Sequence, residues 1–194
     1  ESLATIDSSR LINLFLINAG ITEIDRAAFK AFAGLQSLNL DDNDLTRIPK
    51  IWFSDSHPPH GHKLTHLFIS NNKISSLEPA CFQYLNHLVW LDLSGNVLRQ
   101  VHSHWFIGLN SLTQLLLNDN NIEAIEENAF EPLKELIYLD LSDNDMVCLQ
   151  REALLAVLNL KTILIVLSGN SLVDTKAQTL RNVAWRAKFA NCLH

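Results

Sequence analysis

Apolar residues recur along this chain in one register, L-x-x-L-x-L-x-x-N-x-L. It fits Leu35-Leu38-Leu40-Asn43-Leu45, then Leu64-Leu67-Ile69-Asn72-Ile74 and Leu88-Leu91-Leu93-Asn96-Leu98. It returns at Leu112-Leu115-Leu117-Asn120-Ile122 and Leu136-Leu139-Leu141-Asn144-Met146. A first copy, Leu11-Leu14-Leu16 with Ile21, has Ala19 in place of the Asn, and a last, degenerate copy runs Thr162-Ile165-Leu167-Asn170-Leu172. The copies are 24 residues apart at four of six junctions, with 29 before Leu64 and 26 before Thr162.

The x-L-x-L-x core alternates as a short strand does, so its leucines point inward and the residues between them outward. One copy cannot bury its own apolar side; stacked copies form a parallel sheet over a continuous leucine core. The recurring Asn is suited to hydrogen-bonding backbone groups of adjoining turns, and Ala19 is tolerable at an end of the stack. A second motif lies between the strands: Ile24…Phe29…Phe32, Leu77…Phe82…Leu85, Val101…Phe106…Leu109 and Ile125…Phe130…Leu133. These residues fill the opposite side, where neighbouring aromatics should stack. The expectation is an α/β repeat protein: a curved right-handed solenoid with a parallel concave sheet. A shortened N-terminal cap takes residues 1–10, about seven repeats take 11–172, and a C-terminal cap takes 173–194. The cap is expected to be helical, because Ala177, Leu180, Val183/Ala184 and Ala187 recur at helical spacing behind Asp174 or Thr175 as N-cap.

The register and the Phe of the second motif resemble the leucine-rich-repeat superfamily, in its typical 24-residue class, over Leu11 to Leu172. The style of the repeats is loosely similar to secreted insect immune proteins of that family. The resemblance implies a non-enzymatic module that binds a protein or peptide on its concave face, outside the cell as a secreted protein or receptor ectodomain, in recognition or innate immunity. The family's usual extracellular C-terminal cap carries four cysteines after Asn-Pro-Trp, a pattern this chain lacks. A cytoplasmic location stays open.

Composition narrows this picture without changing it. Hydrophobic residues make up 47% and charged residues 19%, which fits a folded domain. The net charge of −6, with Lys and Arg unclustered, argues against nucleic acid or an anionic membrane surface as partner. The apolar stretch Leu154–Leu167 is broken by Asn159, Lys161 and Thr162 and is too short for a bilayer span of about 20 residues. No phosphate-cradling glycine loop, G-x-S-x-G, H-E-x-x-H or paired C-x-x-C occurs, so neither an enzyme nor a cofactor is expected.

Three cysteines cannot all pair within one chain. Cys81 falls in the column of Ala28 and Ala129 and reads as a small buried residue. Cys148 and Cys192 leave three readings: a bond between them, Cys192 used between chains, or two reduced thiols. No N-x-Ser/Thr sequon occurs. The extra residues before Leu64 include His57, His60 and His62; beside Pro58-Pro59 and Gly61 they read as a polar lateral loop rather than a metal site.

The register also lists the concave face. Its third-position column reads Asn13, Ser37, His66, Trp90, Gln114, Tyr138, Leu164, and its fifth Phe15, Asn39, Phe68, Asp92, Leu116, Asp140, Val166. The seventh and eighth columns add Asp41, Asp42, Asp119 and Asp143. No mapped position carries Lys or Arg. Phe68, Trp90, Leu116 and Tyr138 form an apolar centre with an acidic surround, which marks an interaction site and favours a basic partner. The expected ligand-binding residues are therefore His66, Phe68, Trp90, Asp92, Gln114, Leu116, Tyr138 and Asp140. The alternative is a structural module whose face binds a second copy of itself.

Overall fold

The computed structural model describes residues 10–25, 28–29, 32–53, 63–149, 151–158, 160, 162–172 and 179–181. Seven three-residue strands carry the x-L-x core of each repeat: β1 (Asn13–Phe15), β2 (Ser37–Asn39), β4 (His66–Phe68), β6 (Trp90–Asp92), β8 (Gln114–Leu116), β10 (Tyr138–Asp140) and β11 (Leu164–Val166). They pair in parallel, each with its neighbour in the series, so like positions of successive repeats stand side by side. Right-handed crossovers are the rule for parallel strands joined this way.

The central leucine of each strand points inward. Leu38, Leu67, Leu91, Leu115, Leu139 and Ile165 are completely buried, while the residues on either side of them are half-buried on the other face. Short parallel pairs line the flank: β3 (Arg47–Ile48) with β5 (Ser76–Leu77), and β7 (Gln100–Val101) with β9 (Ala124–Ile125). The far side is an aromatic layer. Phe29 stacks on Phe53 at 5.8 Å between ring centroids, Phe53 tilts against Phe82 at 6.4 Å, and Phe106 stacks on Phe130 at 5.9 Å. Phe53 stands five residues after Ile48, the spacing that separates Phe29 from Ile24. The longer second repeat thus keeps its aromatic, which the sequence reading passed over.

The repeating asparagines tie each turn to the one before. Asn96 accepts from the Ile74 N–H at 3.0 Å and donates to the carbonyls of Ile69 at 2.9 Å and Leu93 at 3.1 Å. Asn72, Asn120 and Asn144 repeat this pattern. Asn43 reaches back to serve Ala19 and Ile21 N–H groups, both at 3.0 Å. Because each asparagine bonds backward, the first copy receives its ladder from Asn43, and Ala19 needs no amide of its own.

Two features differ from the sequence reading. The 26-residue spacing before the last repeat houses a helix, α1 (Arg151–Leu158), which buries Ala153, Leu154 and Val157. The apolar stretch from Leu154 is thus a helix followed by β11. At the C-terminal end, Thr179–Arg181 is a strand, β12, antiparallel to β11, and not part of the expected helix. A sheet edge exposes unpaired backbone groups, and a strand satisfies them where a helix would not. Helical spacing of small residues such as Ala177 is too weak a preference to compete. The rest of that cap, the N-terminal residues 1–9, the histidine loop 57–62 and Cys192 lie outside the described residues.

Candidate functional site

The outward face of the parallel sheet is set by strand alternation, and register places the expected residues in two rows. His66, Trp90, Gln114 and Tyr138 are successive Cα partners, and so are Phe68, Asp92, Leu116 and Asp140. All eight are half-buried. The structure brings three of them into direct ring contact: His66 lies 6.2 Å from Phe68 and 6.5 Å from Trp90, and Phe68 lies 6.1 Å from Trp90. The triad spans two adjacent strands, and Gln114 and Leu116 continue the two rows on the next. The imidazole is held from below, with His66 Nδ1 2.9 Å from the Thr65 hydroxyl.

The acidic residues separate into two kinds. Asp42, Asp119 and Asp143 occupy the eighth column, where every residue is left-handed, with φ from 50° at Asn18 to 74° at Gly169. Asn, Asp and Gly tolerate this conformation best. The backbone N–H in this column donates to the next repeat's seventh-position carbonyl, as Asp42 does to Ser70 at 3.0 Å. The turn thus restricts this column to Asn, Asp and Gly, and Asp42, Asp119 and Asp143 are its exposed acidic members. The second kind lies along the sheet. Asp41 Oδ1 accepts from the Ser70 N–H and hydroxyl, Asp92 Oδ1 from those of Ser94, and Asp140 Oδ1 from those of Ser142. The Asp-x-Ser spacing at Asp92 and Asp140 is visible in the sequence; its role in fixing the strand end was not drawn from it.

Electrostatics follow from this packing. Burial pushes the Asp92 carboxyl above its usual range; the Ser94 hydrogen bonds work against that, and the nearby Asp41 and Asp140 carboxylates add to it. Tyr138 donates its hydroxyl to Asp140 Oδ2 at 2.7 Å, and burial together with this bond pushes the phenol up to about 12. Trp90 Nε1 is buried with no hydrogen-bond partner among the described residues.

Other candidates fall away from the face. Cys81 is a buried free thiol raised by burial, as its column predicted. Cys148 is half-buried on the flank. No group of three or more metal-ligating side chains occurs among the described residues, and none of their helices is long and apolar enough to cross a membrane.

Comparison with known proteins gives consistent matches. A family model described as "Leucine rich repeat" matches residues 62–122, 96–146 and 112–172, and a second of the same description matches 34–55. The human leucine-rich repeats and immunoglobulin-like domains protein 1 is 34% identical over 86 residues, covering 44% of this chain and 7% of that protein. Among solved structures, the TLR13–ssRNA13 complex is 28% identical with a TM-score of 0.61, covering 84% of this chain and 26% of that one. The APL1 leucine-rich repeat domain has a TM-score of 0.69 at 24% identity, over 84% of this chain and 39% of that one. The chain therefore spans well under half the length of these relatives.

Proposed function

This chain belongs to the leucine-rich-repeat family, and from that premise we propose that it is a non-enzymatic binding module that takes a protein or peptide on its concave sheet. The carrying observation is the His66–Phe68–Trp90 triad: three rings in mutual contact, half-buried, on the open face of a sheet. Large aromatic groups left at a polar surface are the usual anchors of protein interfaces. Gln114, Leu116, Tyr138, Asp92 and Asp140 extend the surface along the same two rows.

One neighbour in the fold is a complex with single-stranded RNA. Against a nucleic-acid reading here, the outward strand positions carry Asp92 and Asp140, with Asp41 just past β2, and, on the seven parallel strands, no Lys or Arg to meet phosphates. A protein or peptide ligand suits this charge. The family resemblance supports a role outside the cell in recognition or innate immunity, and the oxidising conditions there would permit a Cys148–Cys192 bond tying down the C-terminal end. Peptide mapping without reductant checks that bond: free thiols at both positions rule it out.

The functional test is light scattering of the purified protein over a concentration range, with Trp90→Asp and Cys192→Ser beside the wild type. A monomeric wild type leaves the aromatic face available to an external ligand, with Trp90→Asp as the binding-dead control. Self-association abolished by Trp90→Asp makes the face a homotypic interface instead. Association lost only in Cys192→Ser marks a disulfide dimer and removes the internal bond.

A further inference from the structure

We propose that the open side of Asp92, walled by Trp90 and Phe68, is a recognition site for a guanidinium group, supplied by an arginine side chain of the protein or peptide partner. This rests on the concave-face reading and narrows it. The argument starts from a difference between two repeats built on one plan.

In β10 the carboxylate is satisfied internally. Asp140 Oδ1 accepts from the Ser142 N–H at 3.0 Å and from its hydroxyl, and Oδ2 accepts from the Tyr138 hydroxyl at 2.7 Å. In β6 the Asp92 Oδ1 arrangement is the same, with Ser94 N–H at 2.9 Å and its hydroxyl at 2.6 Å. Position 90, however, is Trp, whose only donor is the buried Nε1, so it offers Asp92 nothing. Asp92 Oδ2 has no hydrogen-bond partner among the described residues. Partial burial of the Asp92 side chain disfavours its charged form, and its Asp41 and Asp140 neighbours add repulsion. An incoming cation removes both penalties.

The surroundings favour a guanidinium over a compact cation. Trp90 and Phe68 lie 6.1 Å apart with planes inclined at 47°, and Phe68 is the direct register partner of Asp92. A planar cation can lie against these rings while its N–H edge donates to Oδ2. An ammonium has no flat face to stack on the rings and no fork of coplanar donors, so it gains less from the same walls. The outward positions of the seven parallel strands hold no Lys or Arg to oppose it.

The probes are hexa-arginine, hexa-lysine and hexa-citrulline peptides, the last keeping the shape of arginine without its charge, titrated calorimetrically against the intact chain. Hexa-arginine is expected to bind more tightly than hexa-lysine, and hexa-citrulline not measurably. Asp92→Asn should weaken hexa-arginine about tenfold, while Glu127→Gln, which removes an exposed carboxylate three residues before Phe130 of the far-side layer, changes it less than about twofold. The sharpest pair is Trp90→Tyr against Trp90→Phe. Both keep a ring, but the tyrosine hydroxyl can close Oδ2 as Tyr138 closes Asp140, so Trp90→Tyr should bind more weakly than Trp90→Phe. Circular dichroism confirms that each variant is folded, and the Trp90 pair decides the matter if Asp92→Asn is not.

Wild type that ignores hexa-arginine, equal binding of lysine or citrulline, or Trp90→Tyr binding as well as Trp90→Phe overturns the proposal. These outcomes leave the concave-face reading standing, because that reading fails only if its own ligand or self-association is indifferent to Trp90→Asp.

Discussion

At the scale of single residues, identity follows from what the backbone demands. Each buried asparagine serves two turns, so removing one leaves more than one group unpaired at once. Asn96→Ala strands the Ile74 N–H and the Ile69 carbonyl, while the Leu93 carbonyl keeps its bond from Asn120. An unfolding cost of about 2–3 kcal/mol is expected, read by denaturant titration. Glycines divide by their surroundings. At Gly108, φ is 93° and a Cβ would fall on the Gln83 backbone, 2.6 Å from its carbonyl carbon. Gly20 also has positive φ, 65°, yet a Cβ there meets nothing within 4 Å. Gly20→Ala is therefore expected to cost about 1 kcal/mol, and Gly108→Ala at least about twice that, because the backbone of a neighbouring turn must move. Equal melting temperatures for the two variants would contradict this account.

At the scale of elements, the lateral strands are joined by side chains reaching across one repeat. Glu126, just after β9, accepts from the Ser103 N–H at 2.9 Å and lies 2.8 Å from His102 Nδ1. Glu78, in the same place after β5, caps the Lys50 N–H at 2.9 Å. The Ser103 bond, then His102, lowers the Glu126 carboxyl from 4.5 to about 2. Its folded pKa lies below the unfolded one, so its contribution is complete above the ordinary carboxylate range and is lost as pH falls from about 4.5 to about 2. Glu126→Gln should flatten the acid side of the stability curve in that window and leave the curve's shape near neutrality unchanged, as followed by melting temperature against pH. Tyr138 runs the other way. Its phenol, pushed up to about 12, favours the folded state below the usual tyrosine range and loses that effect as pH rises toward about 12. Ultraviolet titration of Tyr138→Phe should lack the latest-ionising tyrosine.

At the scale of the whole molecule, stability is shared between neighbours along one axis. A central leucine such as Leu91 is packed by repeats on both sides and completely buried, whereas Leu14 in the first strand is only partly buried against the core. Leu91→Ala is expected to cost about 3–5 kcal/mol and Leu14→Ala about 1–2 kcal/mol. Denaturant midpoints that do not rank this way would contradict a one-dimensional stack. The same geometry explains the binding face. Register repeats each column across seven strands, so side chains far apart in sequence, such as Phe68 and Asp92, become neighbours.

Much of this was legible in the chain itself. A leucine pattern of period 24 has one economical burial, a stack of parallel strands, so strand positions, the inward leucines, the asparagine ladder and the outward rows all follow from periodicity. Phe53 was equally readable at its conserved spacing from Ile48 and was missed only because an insertion follows it. What periodicity cannot supply is the satisfaction of individual atoms and the ends of the stack. The left-handed turn restricts the eighth column, Asp42, Asp119 and Asp143 included, to Asn, Asp and Gly. A hydroxyl at Tyr138 closes one carboxylate, while an indole at Trp90 leaves its counterpart open. The strand at Thr179–Arg181 replaced an expected helix because the sheet edge at β11 had backbone groups to pair. Sequence determines what recurs, since burial repeats with the register; only the tertiary structure decides where the repetition breaks, because there each polar group must find its own partner.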